Sequence, residues 1–301
     1  MSAETPSTEG TIPFRGFRTW YQLVGSREAP GKFPLVCLHG GPGVPHDYLE
    51  PLEKLATTGR RVLCYDQVGC GNSDQPHNPR LWTVELFLDE LRAVREALGL
   101  TQIHLLGQSW GGMLAMEYAL TQPAGLVSLI LASSPASIPQ CTAEMSRLVA
   151  ELPAEAQDTI HRHEEAGTTD EPAYQEAMLA FYRRHVCRVD PWPECLNRAF
   201  EKLRQNPEVY HTMWGPSEFC ATGVLKEWDI VNRLPGIHVP TLITSGRYDE
   251  VTPAVVETVH RGIVGSQWVI FAESSHTAHV EEMPRYLRVL EEFLDKVEAE
   301  A

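Results

Sequence analysis

The sequence predicts an α/β protein, a mostly parallel central sheet flanked by helices and interrupted once by a helical insertion. Three observations carry this. The continuous short apolar run at residues 34–38 (PLVCL) has the character of a strand buried on both faces, and residues 127–132 read as a further buried strand. Amphipathic segments of helical period, clearest over residues 83–98, alternate with those runs. The alternation lapses between about residues 138 and 225, where helical patterns recur without a strong strand. Strand, helix, strand, helix means a parallel sheet between helical layers.

Taken in order, residues 1–10 are small and polar and predict a disordered start. Residues 17–24 (FRTWYQLV) are rich in aromatic and β-branched side chains and predict a strand, paired with a shorter one over 11–15. The run at 34–38 ends in His39-Gly40-Gly41-Pro42-Gly43, where no regular element continues. Asp47 reads as the N-cap of a helix over 48–56, closed by Thr57-Thr58-Gly59. Residues 61–65 are the next strand, and 68–79 a glycine-punctuated loop. Apolar side chains at 84, 87, 88, 91, 94 and 98 form one face of a helix that Gly99 stops.

A strand then enters Gly107-Gln108-Ser109-Trp110-Gly111-Gly112, a helix leaves over 113–120, and a buried strand follows at 127–132. Within the insertion, helical patterns cover 144–152, 174–185 and 193–205. Alternation returns at 241–245, followed by a helix from Pro253 to about 264, with Thr252 as N-cap and proline at the first helical position. A strand at 268–271 and a helix over 284–297 close the chain. The expected organisation is a disordered stretch (1–10), a core built from 11–137 and 226–301, and a helical cap over 138–225.

At 301 residues, 43% apolar and 22% charged, the chain can bury a core of ordinary size. A formal charge of −15 argues against nucleic acid or an anionic membrane surface as a partner. Seven cysteines without regular spacing predict a reduced, cytoplasmic protein, and the lack of a closed CxxC pair predicts no metal. The first ten residues have neither the basic nor the apolar region of a signal peptide, and no run approaches a membrane span. The oligomeric state stays open, a monomer being compatible with everything above.

The segment GQSWGG sits between an apolar run and a helix-forming run, which is the setting in which the serine of G-x-S-x-G becomes a nucleophile. Small neighbours are needed because the turn is sharp, and Gly107, Gly111 and Gly112 supply them. The alternative for Ser109 is a helix cap. A serine nucleophile needs a base, and the base needs an acid to hold its tautomer. In an open parallel sheet these groups belong at the carboxyl ends of strands. Asp249 follows one predicted strand end and His276 the next, so the order Ser109, Asp249, His276 is that of the α/β-hydrolase fold. His279 is the rival base, and Asp66 ends an earlier strand in a structural turn. The oxyanion needs preorganised N–H donors. Trp110, following the nucleophile at a helix N-terminus, and Gly41 in HGGPG are the candidates.

HGGPG, YDQVGCGNSD, GQSWGG, GRYDEVTP and the late SSH together resemble the proline iminopeptidase family of α/β-hydrolases, in particular the branch with the archaeal tricorn-interacting aminopeptidase and bacterial L-amino acid amidases. The resemblance spans about residues 12–297 and is weakest in the cap. It implies removal of N-terminal residues, often proline, from short peptides, or hydrolysis of amino acid amides and arylamides, without cofactor. It also implies that glutamates bind the substrate's free α-amino group: Glu250, directly after Asp249, and Glu218, in MWGPSEF. Trp110, Trp214 and Phe219 are candidates to shape an apolar side-chain pocket, with ordinary packing as the alternative. The expected protein is thus a serine aminopeptidase acting on a small peptide or amino acid amide. A carboxylesterase or lactonase with the same triad is the alternative.

Overall fold

A computed structural model describes residues 5–300. Its eight strands are β1 (Ser7–Phe14), β2 (Phe17–Val24), β3 (Leu35–Leu38), β4 (Val62–Tyr65), β5 (Ile103–Gln108), β6 (Leu126–Ala132), β7 (Thr241–Gly246) and β8 (Gln267–Phe271). They form one sheet in the order β1-β2-β4-β3-β5-β6-β7-β8. The β1–β2 and β2–β4 pairings are antiparallel, and all the others are parallel. Every residue of β3, β4, β5 and β7 is buried, as strands covered on both faces must be. The predicted α/β-hydrolase architecture is the one observed.

Helices α1 (Val84–Ala97) and α2 (Trp110–Leu120) connect strands before the insertion, and α8 (Pro253–Gly262), α9 (Ala278–Glu281) and α10 (Met283–Glu300) follow it. Between β6 and β7 the chain makes α3 (Ile138–Val149), α4 (Ala154–Ala166), α5 (Pro172–His185), α6 (Glu194–Gln205) and α7 (Glu208–Met213). Thr83 caps α1 by accepting the Leu86 N–H at 3.2 Å, a side-chain oxygen satisfying one of the donors a helix start leaves unpaired.

Three local expectations need correction. The first strand begins at Ser7 and pairs back to Val24, inside the stretch read as disordered, because backbone pairing to β2 compensates for polar side chains; residues 1–4 lie outside the described residues. The segment read as an α-helix after Asp47 is a 3₁₀ helix, His46–Thr58, containing Pro51, and Asp47 does not cap it. Pro51 has no N–H to give an i−4 carbonyl, which disfavours regular α geometry. The Asp47 carboxylate instead reaches across to Lys202 and Arg198 on α6. Thr252 stands at the N-cap position of α8, but its hydroxyl donates to Glu144 rather than capping the helix.

Candidate active site

The carboxyl ends of β3, β5, β7 and β8 converge beneath the helical insertion, and the residues singled out from sequence lie there. Ser109 forms the corner between β5 and α2 with φ 54° and ψ −119°, and its N–H donates to the Ala132 carbonyl at 2.9 Å. A Cβ at Gly107 would overlap the backbone of Gly111, and one at Gly111 would overlap the Leu38 carbonyl, so both positions require glycine. Glycine spacing in the sequence therefore reports a real steric limit.

Asp249 follows β7 and His276 follows β8. His276 Nδ1 donates to Asp249 Oδ1 at 2.7 Å, and the same carboxylate oxygen accepts the Val251 N–H at 2.9 Å. Both side chains are buried. Burial by itself would depress the imidazole, but the charges of Asp249, Glu250 and Glu218 outweigh it and raise His276 to about 9. His279, the rival, is buried and donates from Nε2 to the Tyr48 carbonyl at 3.0 Å. Burial pushes it down to about 4, so it is a neutral structural donor. Asp66 accepts the His46 and Asn72 N–H groups at 2.9 and 2.8 Å and holds its own loop together.

The loop after β3 approaches Ser109 closely. The Gly40 N–H is taken by the Tyr48 hydroxyl at 2.7 Å, while the Gly41 N–H has no acceptor among the described residues. Tyr48 in turn donates to Gln108 Oε1 at 2.6 Å, and Gln108 Nε2 donates to the His276 carbonyl at 3.2 Å. This chain of bonds ties the β3 loop, the elbow and the His276 loop into one unit. Trp110 stands first in α2, so its N–H belongs to the exposed dipole end of the helix. Its side chain points away and is buried against Phe87, with Nε1–H on Gln67 Oε1 at 2.9 Å.

Glu250 is buried, with Oε1 3.5 Å from His276 Nε2. Burial and the neighbouring Glu218 and Asp249 hold its carboxyl well above the usual range, against the opposing pull of His276. Glu218 lies in the turn after α7, half-buried; burial raises its carboxyl too, against the opposing pull of His276 and the Tyr210 side chain. That turn is clamped from outside the site: Trp214 Nε1–H is shared by the Ser217 and Glu218 carbonyls at 3.0 and 3.1 Å, and the Tyr174 hydroxyl donates to Ser217 Oγ at 2.8 Å.

A narrow cavity is lined by Gly41, Tyr48, Gln108, Ser109, Glu218 and His276, with Val44, Val186, Leu196, Phe200 and Thr277 supplying most of the apolar wall. The aromatic residues expected to form that wall do not line it. Trp110 supports the loop after β4, Trp214 clamps the Glu218 turn, and Phe219 packs on Phe181 with ring centroids 5.0 Å apart. The actual wall comes from α6 and the segment after α5, where Leu196 and Phe200 share a helical face; that spacing was present in the sequence, but nothing in it marked which face met Ser109.

The model of the α/β hydrolase fold family matches residues 34–283. The proline iminopeptidase of Lactobacillus acidophilus is 45% identical over 95% of this chain and 98% of its own length. Among solved structures, VinJ superposes with a TM-score of 0.94 at 43% identity, covering 97% of this chain and 99% of VinJ. The proline iminopeptidase of Mycobacterium smegmatis superposes with a TM-score of 0.90 at 42% identity, over 97% of this chain and 99% of that one. Identity at this level across nearly the whole chain, together with a sheet that brings the late aspartate and histidine to the glycine-framed serine, leads to one assignment: the chain belongs to the proline iminopeptidase family of α/β-hydrolases and is an enzyme of the aminopeptidase type.

Proposed function

We propose that this enzyme releases the N-terminal residue of short peptides, or hydrolyses amino acid amides, through an acyl-enzyme on Ser109. The substrate's α-ammonium docks on Glu218 and Glu250. His276, held in tautomer by Asp249, takes the Ser109 proton as Oγ attacks the first carbonyl. The N–H groups of Gly41 and Trp110 stabilise the oxyanion, and His276 returns the proton to the leaving amine. Water then hydrolyses the acyl-enzyme by the same route in reverse order. Residues 138–225 act as the cap over a core of 11–137 and 226–301. The compact wall of Val44, Val186, Leu196 and Phe200 suits a small apolar first residue such as proline. Seven free thiols, five of them buried, fit a reducing cytoplasmic setting.

The observation that carries the reading is Glu218 on the wall of the Ser109 cavity with buried Glu250 3.5 Å from His276 Nε2, since an esterase or lactonase has no use for two acids held out of full solvent beside its base. The test compares prolyl and alanyl arylamides with their N-acetylated forms, with Ser109→Ala as the blank. We expect the free amines to be cut and the acetylated forms to be almost inert, with no turnover by the blank. Equal cleavage of both forms would replace the aminopeptidase with a general esterase or amidase.

A further inference from the structure

His276 has a competitor for its working nitrogen. Nδ1 is committed to Asp249, so only Nε2 can serve Ser109. Glu250 Oε1 lies 3.5 Å from that same Nε2, and both side chains are buried. Glu250 Oε2 is buried as well, with no hydrogen-bond partner among the described residues. The groups facing His276 are Asp249 and Glu250 from the loop after β7, Glu218 from the turn after α7, and the neutral His279 from α9. Beyond these acids stand the un-ionised hydroxyls of Tyr182 and Tyr210 and the Cys141 thiol, which burial pushes upward, and the His185 imidazole of α5, which burial pushes down. Among the described residues, no lysine or arginine makes an ion pair with Asp249, Glu250 or Glu218.

Three carboxyls around one imidazole, two of them buried and Glu218 half-buried, without a resident cation, favour the retention of a proton. Burial opposes charge on the imidazole, but the acids prevail and hold it near 9. A base held that far above neutrality keeps its proton at pH 7. The geometry and the reaction are therefore in tension: the arrangement that would bind an amine also disarms the base that must act on it.

We propose, on the amine-docking reading above, that Glu250 and His276 share a proton in the resting site and so lock the base, and that the substrate's α-ammonium unlocks it by taking that proton's place between Glu218 and Glu250. The balance is simple. One ammonium enters, one proton leaves to solvent, and the site's net charge is unchanged. His276 is left neutral, with the Nε2 lone pair free for Ser109. Glu250 thus gates the base as well as binding the substrate, and an uncharged ligand in the same cavity meets a protonated His276. Selectivity for a free N-terminus then appears in kcat as well as in KM.

The test uses phenylmethanesulfonyl fluoride, an uncharged reagent for the serine, with labelling of Ser109 followed against pH. In the parent, labelling should rise to a midpoint near 9. Glu250→Gln should lower the midpoint by at least about one unit, so that the variant labels roughly tenfold faster at pH 7. Damage to the pocket would slow labelling and could not produce that acceleration. A parent midpoint near 7 that Glu250→Gln leaves in place would overturn the proposal. In parallel, prolinamide is titrated calorimetrically into Ser109→Ala at pH 7 in buffers of different ionisation enthalpy. Release of about one proton per site is expected, and binding without proton release would also overturn the lock. Failure of the aminopeptidase reading registers elsewhere, as equal cleavage of acetylated arylamides, which neither measurement involves.

Discussion

Ser109 adopts a backbone conformation with φ 54° and ψ −119°, which a residue with a Cβ holds only where its surroundings over-determine it. Here the surroundings are the Ala132 carbonyl on its N–H and the absence of side chains at Gly107 and Gly111. This is why the sharp corner at Ser109 was legible in sequence: a steric requirement leaves glycines at fixed offsets. The position of Glu218 had no such signature. An acid in a turn reads as solvated until Trp214 and Tyr174 are seen to hold the turn inward. If Glu218 contributes one charge-assisted hydrogen bond to the bound ammonium, Glu218→Gln should weaken it by roughly 1.5–3 kcal/mol. The expected result is a KM for prolyl arylamide raised about ten- to a hundredfold, measured by steady-state kinetics; an unchanged KM would remove Glu218 from the docking site.

At the scale of elements, periodicity located the helices with a strong buried face and failed for the others. α4 buries only Ile160, and α7 has six residues, so neither leaves a hydrophobic stripe to read. α10 illustrates what periodicity omits. Its apolar face was predicted, but its end is anchored by Glu298, which accepts from Arg60 Nε at 2.9 Å, the Phe33 N–H at 3.1 Å and His104 at 3.2 Å, with Lys32 also paired. Burial alone would raise the Glu298 carboxyl, but these donors pull it down to about 2. A carboxyl depressed in the folded state contributes its full stabilisation above its unfolded value and loses it as pH falls through the folded one. The contribution should therefore fade between about pH 4.5 and 2. Glu298→Gln should cost roughly 1.5–3 kcal/mol at pH 7, because it leaves buried Arg60 with the half-exposed Asp295 as its remaining carboxylate. Urea melts of parent and variant at pH 7 and pH 3 check this: the gap between them should narrow in acid.

Across the whole molecule, the sheet and the insertion meet at the cavity, and their docking has an electrostatic component. Asp47, buried beside the site loop, accepts from Lys202 Nζ at 2.9 Å on both oxygens and from Arg198 at 3.3 Å, while Arg198 also pairs with Glu50. The same helix, α6, brings Leu196 and Phe200 to the cavity wall. Asp47→Asn should weaken the hold on α6 by roughly 1–3 kcal/mol. Hydrogen exchange of α6 amides should speed up while β5 and β6 stay protected; uniform acceleration would instead mean that the whole fold had loosened.

The sequence by itself determined the parallel sheet, the elbow at Ser109 and the succession of Asp249 and His276 at later strand ends. Each of these rests on local constraints: two-faced burial of strands, glycine where a Cβ cannot fit, and chain order across consecutive strands. Only the tertiary structure decided which side chains wall the cavity, that Trp110 turns away from it, and that Glu250 lies 3.5 Å from His276 Nε2. Those outcomes depend on how segments separated in sequence pack together, and no local period or spacing records the contact between a helix of the insertion and a loop of the sheet.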